Sequence, residues 1–207
     1  MYNILALTSS LAGPTSISDP LVETAIQQLK ALHPGAQVVH RDLARNPVPH
    51  LLPDTFAGVR AEANTPAEFA TRALSDELIA EVKAADVIVI GAPMYNFSLP
   101  TTLRAWFDHV LRPRVTFGYT AEGPKGLVED KPVIVIEARG GLYSSGPAAA
   151  IDFQEPYLRQ LLAFMGLNDV RFVRAEKIGF GPEARTAAVE AAIEAIGEAI
   201  KPRALAA

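Results

Sequence analysis

A run of hydroxyl side chains follows the first apolar segment of the chain. Residues 7–18 read LTSSLAGPTSIS, without Lys or Arg, and place Ser10, Ser16 and Ser18 where a strand gives way to a helix. A helix N-terminus offers unpaired N–H groups and about half a positive charge, so it can bind a phosphate without a cationic side chain. The segment therefore indicates a phosphate site, and an ordinary strand-to-helix loop with a serine cap is the alternative. It lacks the GxxxxGK[ST] motif, so a nucleoside triphosphate is not indicated.

Two later loops carry groups that suit a flat heteroaromatic ligand. Residues 94–97 read MYNF and supply large, flat or polarizable side chains together with backbone amides. A planar ring needs apolar faces to stack on and main-chain groups at its polar edge. Further along, Gly140 and Gly141 allow a ligand edge to approach the backbone closely. Each loop considered alone also has a purely structural interpretation. The MYNF loop would then be an apolar cap on the core, and the glycine loop a tight turn.

Apolar runs bounded by turn residues would position these loops at the ends of strands. The runs VIVIG and VIVIE are nearly continuous and β-branched, which is typical of central parallel strands covered on both faces. The predicted strands are Tyr2 to Thr8, Gln37 to Asp42, Asp86 to Gly91, Pro132 to Ala138 and Asp169 to Lys177.

Segments of helical period alternate with these strands. The first predicted helix starts at a cap formed by Ser18 or Asp19 and ends near His33, and Asn46 to Asn64 is predicted to be a surface loop. The other predicted helices are Thr65 to Ala84, Pro100 to Leu111, Ile151 to Phe164 and Pro182 to Ala206. This alternation predicts an α/β, flavodoxin-like doubly wound sheet of five parallel strands with helices on both faces. In such sheets a ligand binds outside the carboxyl ends of the strands.

Composition narrows the classes of function. A chain of 207 residues, 49% of them hydrophobic, predicts a single domain over residues 1–207. A net charge of -4 without long runs of like charge argues against nucleic acid or an anionic membrane as the main partner. The absence of Cys excludes disulfides and thiolate metal sites and is compatible with the cytoplasm, and the four His show no ligand spacing, so no metal is expected.

Together the three loops resemble the FMN-dependent NADH azoreductases, a family of flavodoxin-like quinone reductases. The resemblance covers essentially the whole chain and is strongest in the MYNF loop and in VTFGYTAEGPKGL. It implies one non-covalent FMN per subunit, NADH or NADPH as electron donor, and quinones and azo compounds as acceptors. It also implies a homodimer with the site at its interface. Electron donor and acceptor would react in turn on the flavin, and no side chain would be catalytic.

The resemblance also assigns residues to parts of the flavin. The phosphate is assigned to Ser10, Ser16, Ile17 and Ser18. The ribityl chain and the isoalloxazine ring are assigned to Pro93, Met94, Tyr95, Asn96 and Phe97. The pyrimidine side of the ring is assigned to Gly140, Gly141 and Tyr143. Tyr119 and Phe164 are assigned as aromatic walls reaching the flavin or substrate, with the partner subunit as a possible source, and Arg114 lies near the substrate entrance.

Three positions depart from the pattern of this family. Ile17 stands where some relatives have Gln, so it offers only its backbone N–H. Ala138 stands where a hydroxyl residue is common, and Arg114 where Gly is common. These departures bear on acceptor preference.

A non-catalytic flavodoxin-type electron carrier and an α/β ligand-binding domain without redox activity are the alternative functions, and the modest charge and extended loops favour an enzyme.

Overall fold

The computed structural model describes residues 1–201. The strands within this range are β1 (Asn3–Thr8), β2 (Gln37–Asp42), β3 (Val87–Pro93), β4 (Phe117–Thr120), β5 (Gly123–Gly126), β6 (Val133–Ala138) and β7 (Val170–Ala175). The helices are α1 (Ser18–Leu32), α2 (Phe56–Arg60), α3 (Pro66–Ala84), α4 (Thr101–Val110), α5 (Glu155–Met165) and α6 (Pro182–Ala199).

Five strands form one parallel sheet in the order β2-β1-β3-β6-β7. The chain leaves β1 for β2 on one side and then crosses to β3 on the other, so the direction of winding reverses between β1 and β3. A ligand is expected at such a reversal, outside the carboxyl ends of the strands. The register pairs Leu7 with Ile90 and Pro93 with Ala138, so the ends of β1, β3 and β6 lie side by side. The predicted fold class is confirmed.

The two faces of the sheet bury alternate residues of the same strands, as the period of two requires. Leu7 and Ile90 pack into a cluster with α3, α4 and α5, while Ala6 and Val89 pack with α1 and α6 on the other face. Helices thus cover both faces, which explains why the central strands read as continuous apolar runs. No helix in residues 1–201 is long and apolar enough to cross a bilayer.

Several predicted boundaries differ from the structure. The predicted loop Asn46 to Asn64 contains the short helix α2, and the segment around Tyr119 forms a hairpin of β4 and β5 that was not predicted. Helix α5 begins at Glu155 rather than Ile151, because the Asp152 carboxylate accepts the N–H groups that open the helix. Helix α6 ends at Ala199, and residues 202–206 of the predicted last helix lie outside the described residues.

Candidate functional site

The three loops singled out in the sequence meet at the carboxyl edge of the sheet. The backbone N–H of Leu11, in the loop after β1, donates to the Tyr95 hydroxyl in the loop after β3 at 2.9 Å. The ring of Phe97 meets the ring of Tyr143, in the loop after β6, edge to face with centroids 6.2 Å apart. The structure therefore joins the predicted phosphate, ring and pyrimidine-side loops into one site.

The start of α1 is arranged to receive an anion. Ser10, Ser16 and Ser18 are all buried, and the Ser16 hydroxyl lies 3.5 Å from that of Ser18. The N-cap residue is Ile17, so the prediction of Ser18 or Asp19 as the cap was wrong, and the hydroxyl of the preceding Ser16 accepts the Asp19 N–H at 3.2 Å. Ser18 already has helical geometry and is too far along to cap. The N–H groups of Ile17 and Ser18 have no acceptor within the described chain, as the first turn of a helix requires.

Two charged side chains near this helix start were not predicted as part of the site. Burial raises the pKa of Asp19, in the first turn of α1, against the hydrogen bonds from Ser16 and Ser18 that lower it. Arg185 of α6 donates from Nη2 to the Thr15 carbonyl at 3.3 Å. Asp19 thus places an acidic side chain beside the anion position, and Arg185 adds a cation from a helix that is remote in sequence.

The MYNF loop is a tight turn with a strained backbone. Tyr95 and Ser98 exchange two backbone hydrogen bonds, of 2.9 and 3.1 Å. The two residues between them, Asn96 and Phe97, have φ values of +48° and +68°. Asn tolerates this left-handed conformation, whereas in Phe it costs on the order of 1 kcal/mol or more. The turn holds Phe97 46% exposed at the site, where its ring is free to contact a ligand.

The glycine loop after β6 presents backbone donors. The carbonyls of Gly140 and Gly141 accept from the N–H groups of Gly179 (3.0 Å) and Lys177 (2.9 Å), whereas their own N–H groups have no acceptor among residues 1–201. A Cβ on Gly141 would lie 3.0 Å from the Tyr143 ring, so glycine permits the close approach of that ring. These donors fit the electronegative pyrimidine edge of a flavin, and the anion position at α1 fits its phosphate.

Behind the glycine loop lies a buried cluster of charges that sequence reasoning missed. Glu137 and Arg139 are both fully buried, and Glu137 Oε2 lies 2.6 Å from Arg139 Nη2. Burial, together with the neighbouring carboxylates of Glu155 and Asp152, raises the pKa of Glu137 to about 8, although Arg139 opposes this rise. The continuous apolar run VIVI hides the cluster, since the Glu137 that follows it occupies a position that reads as a strand end.

The stability of the fold is expected to fall as Glu137 loses its proton. The pKa of Glu137 is about 8 in the folded protein against 4.5 for an ordinary Glu, so its contribution is complete below pH 4.5 and is lost as the pH rises to 8. The slope is at most about 1.4 kcal/mol per pH unit. Urea unfolding of wild type and of the Glu137→Gln variant at pH 6 and pH 8 measures it. Between pH 6 and pH 8 the unfolding free energy of wild type should fall by about 2 kcal/mol relative to that of Glu137→Gln. A difference between the two proteins that is the same at both pH values would contradict the prediction.

The three residues assigned to the substrate lie away from this edge. Helix α4 starts beside the MYNF loop and runs back along the sheet for ten residues, or about 15 Å. Arg114 and the β4–β5 hairpin, which contains Tyr119, follow the end of this helix. Phe164 is in the last turn of α5 and packs on Phe117 at 4.6 Å between centroids. Within one subunit the structure therefore groups Arg114, Tyr119 and Phe164 at the opposite edge from the three loops.

The backbone at Arg114 adopts a conformation that favours glycine. Its φ is +64°, a left-handed conformation that Gly adopts without steric cost. Its N–H donates to the Phe117 carbonyl at 2.6 Å and thereby fixes the start of the hairpin. The arginine keeps the same turn and adds a charged side chain to it.

Comparisons with known proteins identify the family of this chain. The family with the flavodoxin-like fold matches residues 2–200. The FMN-dependent NADH:quinone oxidoreductase of Hyphomonas neptunium is 58% identical over 192 residues, covering 93% of this chain and 92% of that protein. That of Ralstonia nicotianae is 47% identical, covering 95% and 96%. The crystal structure of azoreductase from Bacillus anthracis str. Sterne is similar with a TM-score of 0.86 and 29% identity, covering 96% and 99%.

The sheet order and the meeting of the three loops at its carboxyl edge define a flavodoxin-like α/β protein. The chain belongs to the family of FMN-dependent NADH:quinone oxidoreductases.

Proposed function

We propose that this protein is an FMN-dependent oxidoreductase that takes electrons from NADH, reduces quinones and cleaves azo compounds to amines. One observation carries the proposal: a helix start with free N–H groups, a strained aromatic turn and a pair of free glycine N–H groups meet at one edge of the sheet. This is the donor set that the phosphate, the ring face and the pyrimidine edge of FMN require. The relatives carry names that specify FMN, NADH and quinone.

Each part of the site has a distinct task in this proposal. When bound, FMN supplies the two-electron chemistry, and the protein supplies binding, orientation and electrostatics. Ser10, Ser16, Ile17 and Ser18 bind the phosphate, and residues 93–97 contact the ribityl chain and the ring. The N–H groups of Gly140 and Gly141 donate to the ring edge where negative charge increases on reduction. No side chain is required as a general acid, because water can supply the protons.

We further propose a homodimer in which the partner subunit completes the substrate pocket. Tyr119 is 75% exposed at one edge, and Phe153 and Phe97 are 60% and 46% exposed at the other, so both edges offer aromatic side chains of the type enriched at subunit interfaces. Because Arg114, Tyr119 and Phe164 lie at the far edge of their own sheet, they would reach a flavin only in a second subunit. NADH is a cytoplasmic metabolite, so a cytoplasmic location belongs to the proposal.

Steady-state kinetics are expected to show that donor and acceptor react in turn. If one flavin face receives both molecules, nicotinamide must leave before a quinone binds. Reciprocal rates plotted against NADH at several quinone concentrations should then give parallel lines, and the same assay with NADPH compares the two donors. Quinones should react faster than azo dyes, because an azo bond needs four electrons and thus two cycles. Intersecting lines would demand a ternary complex, and NADH oxidation only with an added partner protein would indicate an electron carrier.

A further inference from the structure

Arg139 directly precedes the glycine pair and is completely buried. Its Nη1 lies 3.0 Å from Asp152 Oδ2 and 3.3 Å from Glu176 Oε1, and its Nη2 lies 2.6 Å from Glu137 Oε2. The guanidinium thus pairs with acidic side chains from three segments: the end of β6, the start of α5 and the residue after β7. Desolvation of a buried cation is costly, and several surrounding carboxylates offset that cost here.

One of these carboxylates fixes the glycine loop. Glu176 Oε1 accepts the backbone N–H groups of Tyr143 at 2.8 Å and Ser144 at 3.0 Å, and its other oxygen accepts the Ser144 hydroxyl. Arg139 Nη1 donates to the same oxygen, Glu176 Oε1, at 3.3 Å. The conformation of the loop that carries Gly140 and Gly141 therefore depends on a carboxylate whose position Arg139 sets.

A second arm of the same guanidinium reaches the strand that leads to the MYNF turn. Arg139 Nε donates to Gln154 Oε1 at 3.2 Å, and Gln154 Nε2 donates to the carbonyl of Ala92 at 2.8 Å. The neighbouring Phe153 N–H donates to the Phe97 carbonyl at 3.1 Å. The side chain of Gln154 is buried, so this connection is shielded from water.

We propose that Arg139 is a positioning residue for the flavin ring, because its guanidinium sets the distance between the glycine loop and the MYNF turn. The inference rests on the proposed flavin site. Arg139 would not touch the ligand: it acts through Glu176 on one loop and through Gln154 on the other. A lysine would keep the charge, but its single ammonium lacks the planar fork that bonds both arms at once.

The test compares Arg139→Lys with Arg174→Lys as the matched control. Arg174 belongs to the same charged cluster, with Nη2 2.6 Å from Glu155 Oε2, but hydrogen-bonds to neither loop. FMN and riboflavin affinities are measured by flavin fluorescence, the redox midpoint potential by spectroscopic titration, and the order of residues 140–144 by hydrogen exchange. Thermal melting and subunit assembly verify that both variants are folded.

The Arg139→Lys variant should bind both FMN and riboflavin about 10-fold more weakly, as expected for the loss of one charged hydrogen bond. The factor should be the same for both flavins, because the change affects contacts to the ring and not those to the phosphate. Its midpoint potential should become more negative, because misplaced N–H donors stabilise the reduced ring less. Residues 140–144 should exchange faster, and Arg174→Lys should match wild type in all three measurements.

Two outcomes would overturn the inference. The first is a folded Arg139→Lys variant with unchanged affinity, potential and exchange. The second is an equal effect of Arg174→Lys. If Arg139→Lys does not fold, Glu176→Gln replaces it: the variant keeps Arg139 but loses one acceptor for the loop, so the same changes are expected in smaller measure, and their absence overturns the proposal. Failure of wild type to bind FMN would instead refute the proposed function.

Discussion

Riboflavin is expected to bind at least about 100-fold more weakly than FMN. The two flavins differ only in the phosphate, which the start of α1 would receive with the N–H groups of Ile17 and Ser18 and the hydroxyls of Ser10, Ser16 and Ser18. Hydrogen bonds to a charged group contribute about 1.5–3 kcal/mol each, so the loss of two of them costs a factor of about 100 or more. Titration of the flavin-free protein with each flavin measures the ratio.

Variants of α1 separate the phosphate contact from general damage to the helix. Ser18→Ala removes a fully buried hydroxyl at the helix start and should weaken FMN binding about 10-fold while leaving riboflavin binding unchanged. Thr24→Ala is the control, because the Thr24 hydroxyl lies on the same helix and donates to the Pro20 carbonyl at 2.9 Å. Equal affinity of the wild type for the two flavins would refute the phosphate site.

Two inactive variants are expected to restore activity when mixed, because each active site would use both subunits. Gly141→Val disturbs the glycine loop of its own subunit, and Tyr119→Glu places a charge where an aromatic wall of the partner's site is expected. In a mixed dimer, one site carries both changes and the other carries neither. Random assembly makes half of the dimers mixed, so roughly a quarter of the wild-type activity should return.

This complementation shows whether Tyr119 acts on the flavin of its own subunit or on the flavin of the partner subunit. If Tyr119 acted on the flavin of its own subunit, each site of the mixed dimer would hold one defect and no activity would return. Purified wild type, carried through the same exchange of subunits, controls for losses in handling. Full loss of activity in the mixture, with mixed dimers verified by mass, would contradict the shared site.

The sequence predicts the sheet and the meeting of the three loops well, because both depend on local patterns. Strand β3 reads as a continuous apolar run, and the ends of parallel strands must meet at one edge, so the loops after β1, β3 and β6 could be placed together. The exact helix cap, Ile17, was missed, since its side chain cannot accept a hydrogen bond and only the backbone conformation identifies it.

Contacts between distant segments could not be predicted in this way. Arg139 reads as one more charged residue before two glycines, and its partners Asp152, Gln154 and Glu176 come from segments that only the fold brings together. Arg185 reaches the phosphate loop from a helix about 170 residues further along the chain. The hairpin around Tyr119 also escaped prediction, because its strands are four residues long and contain glycine and proline.

A single-turnover experiment tests the central claim most directly, that one bound FMN takes electrons from NADH and passes them to a quinone. The FMN-loaded protein is reduced anaerobically with NADH, freed of nucleotide and mixed with one equivalent of a quinone. The visible absorbance of oxidised flavin is expected to return in one fast phase, at a rate no slower than steady-state turnover. A reduced protein that stays reduced until nucleotide or another protein is added would contradict it.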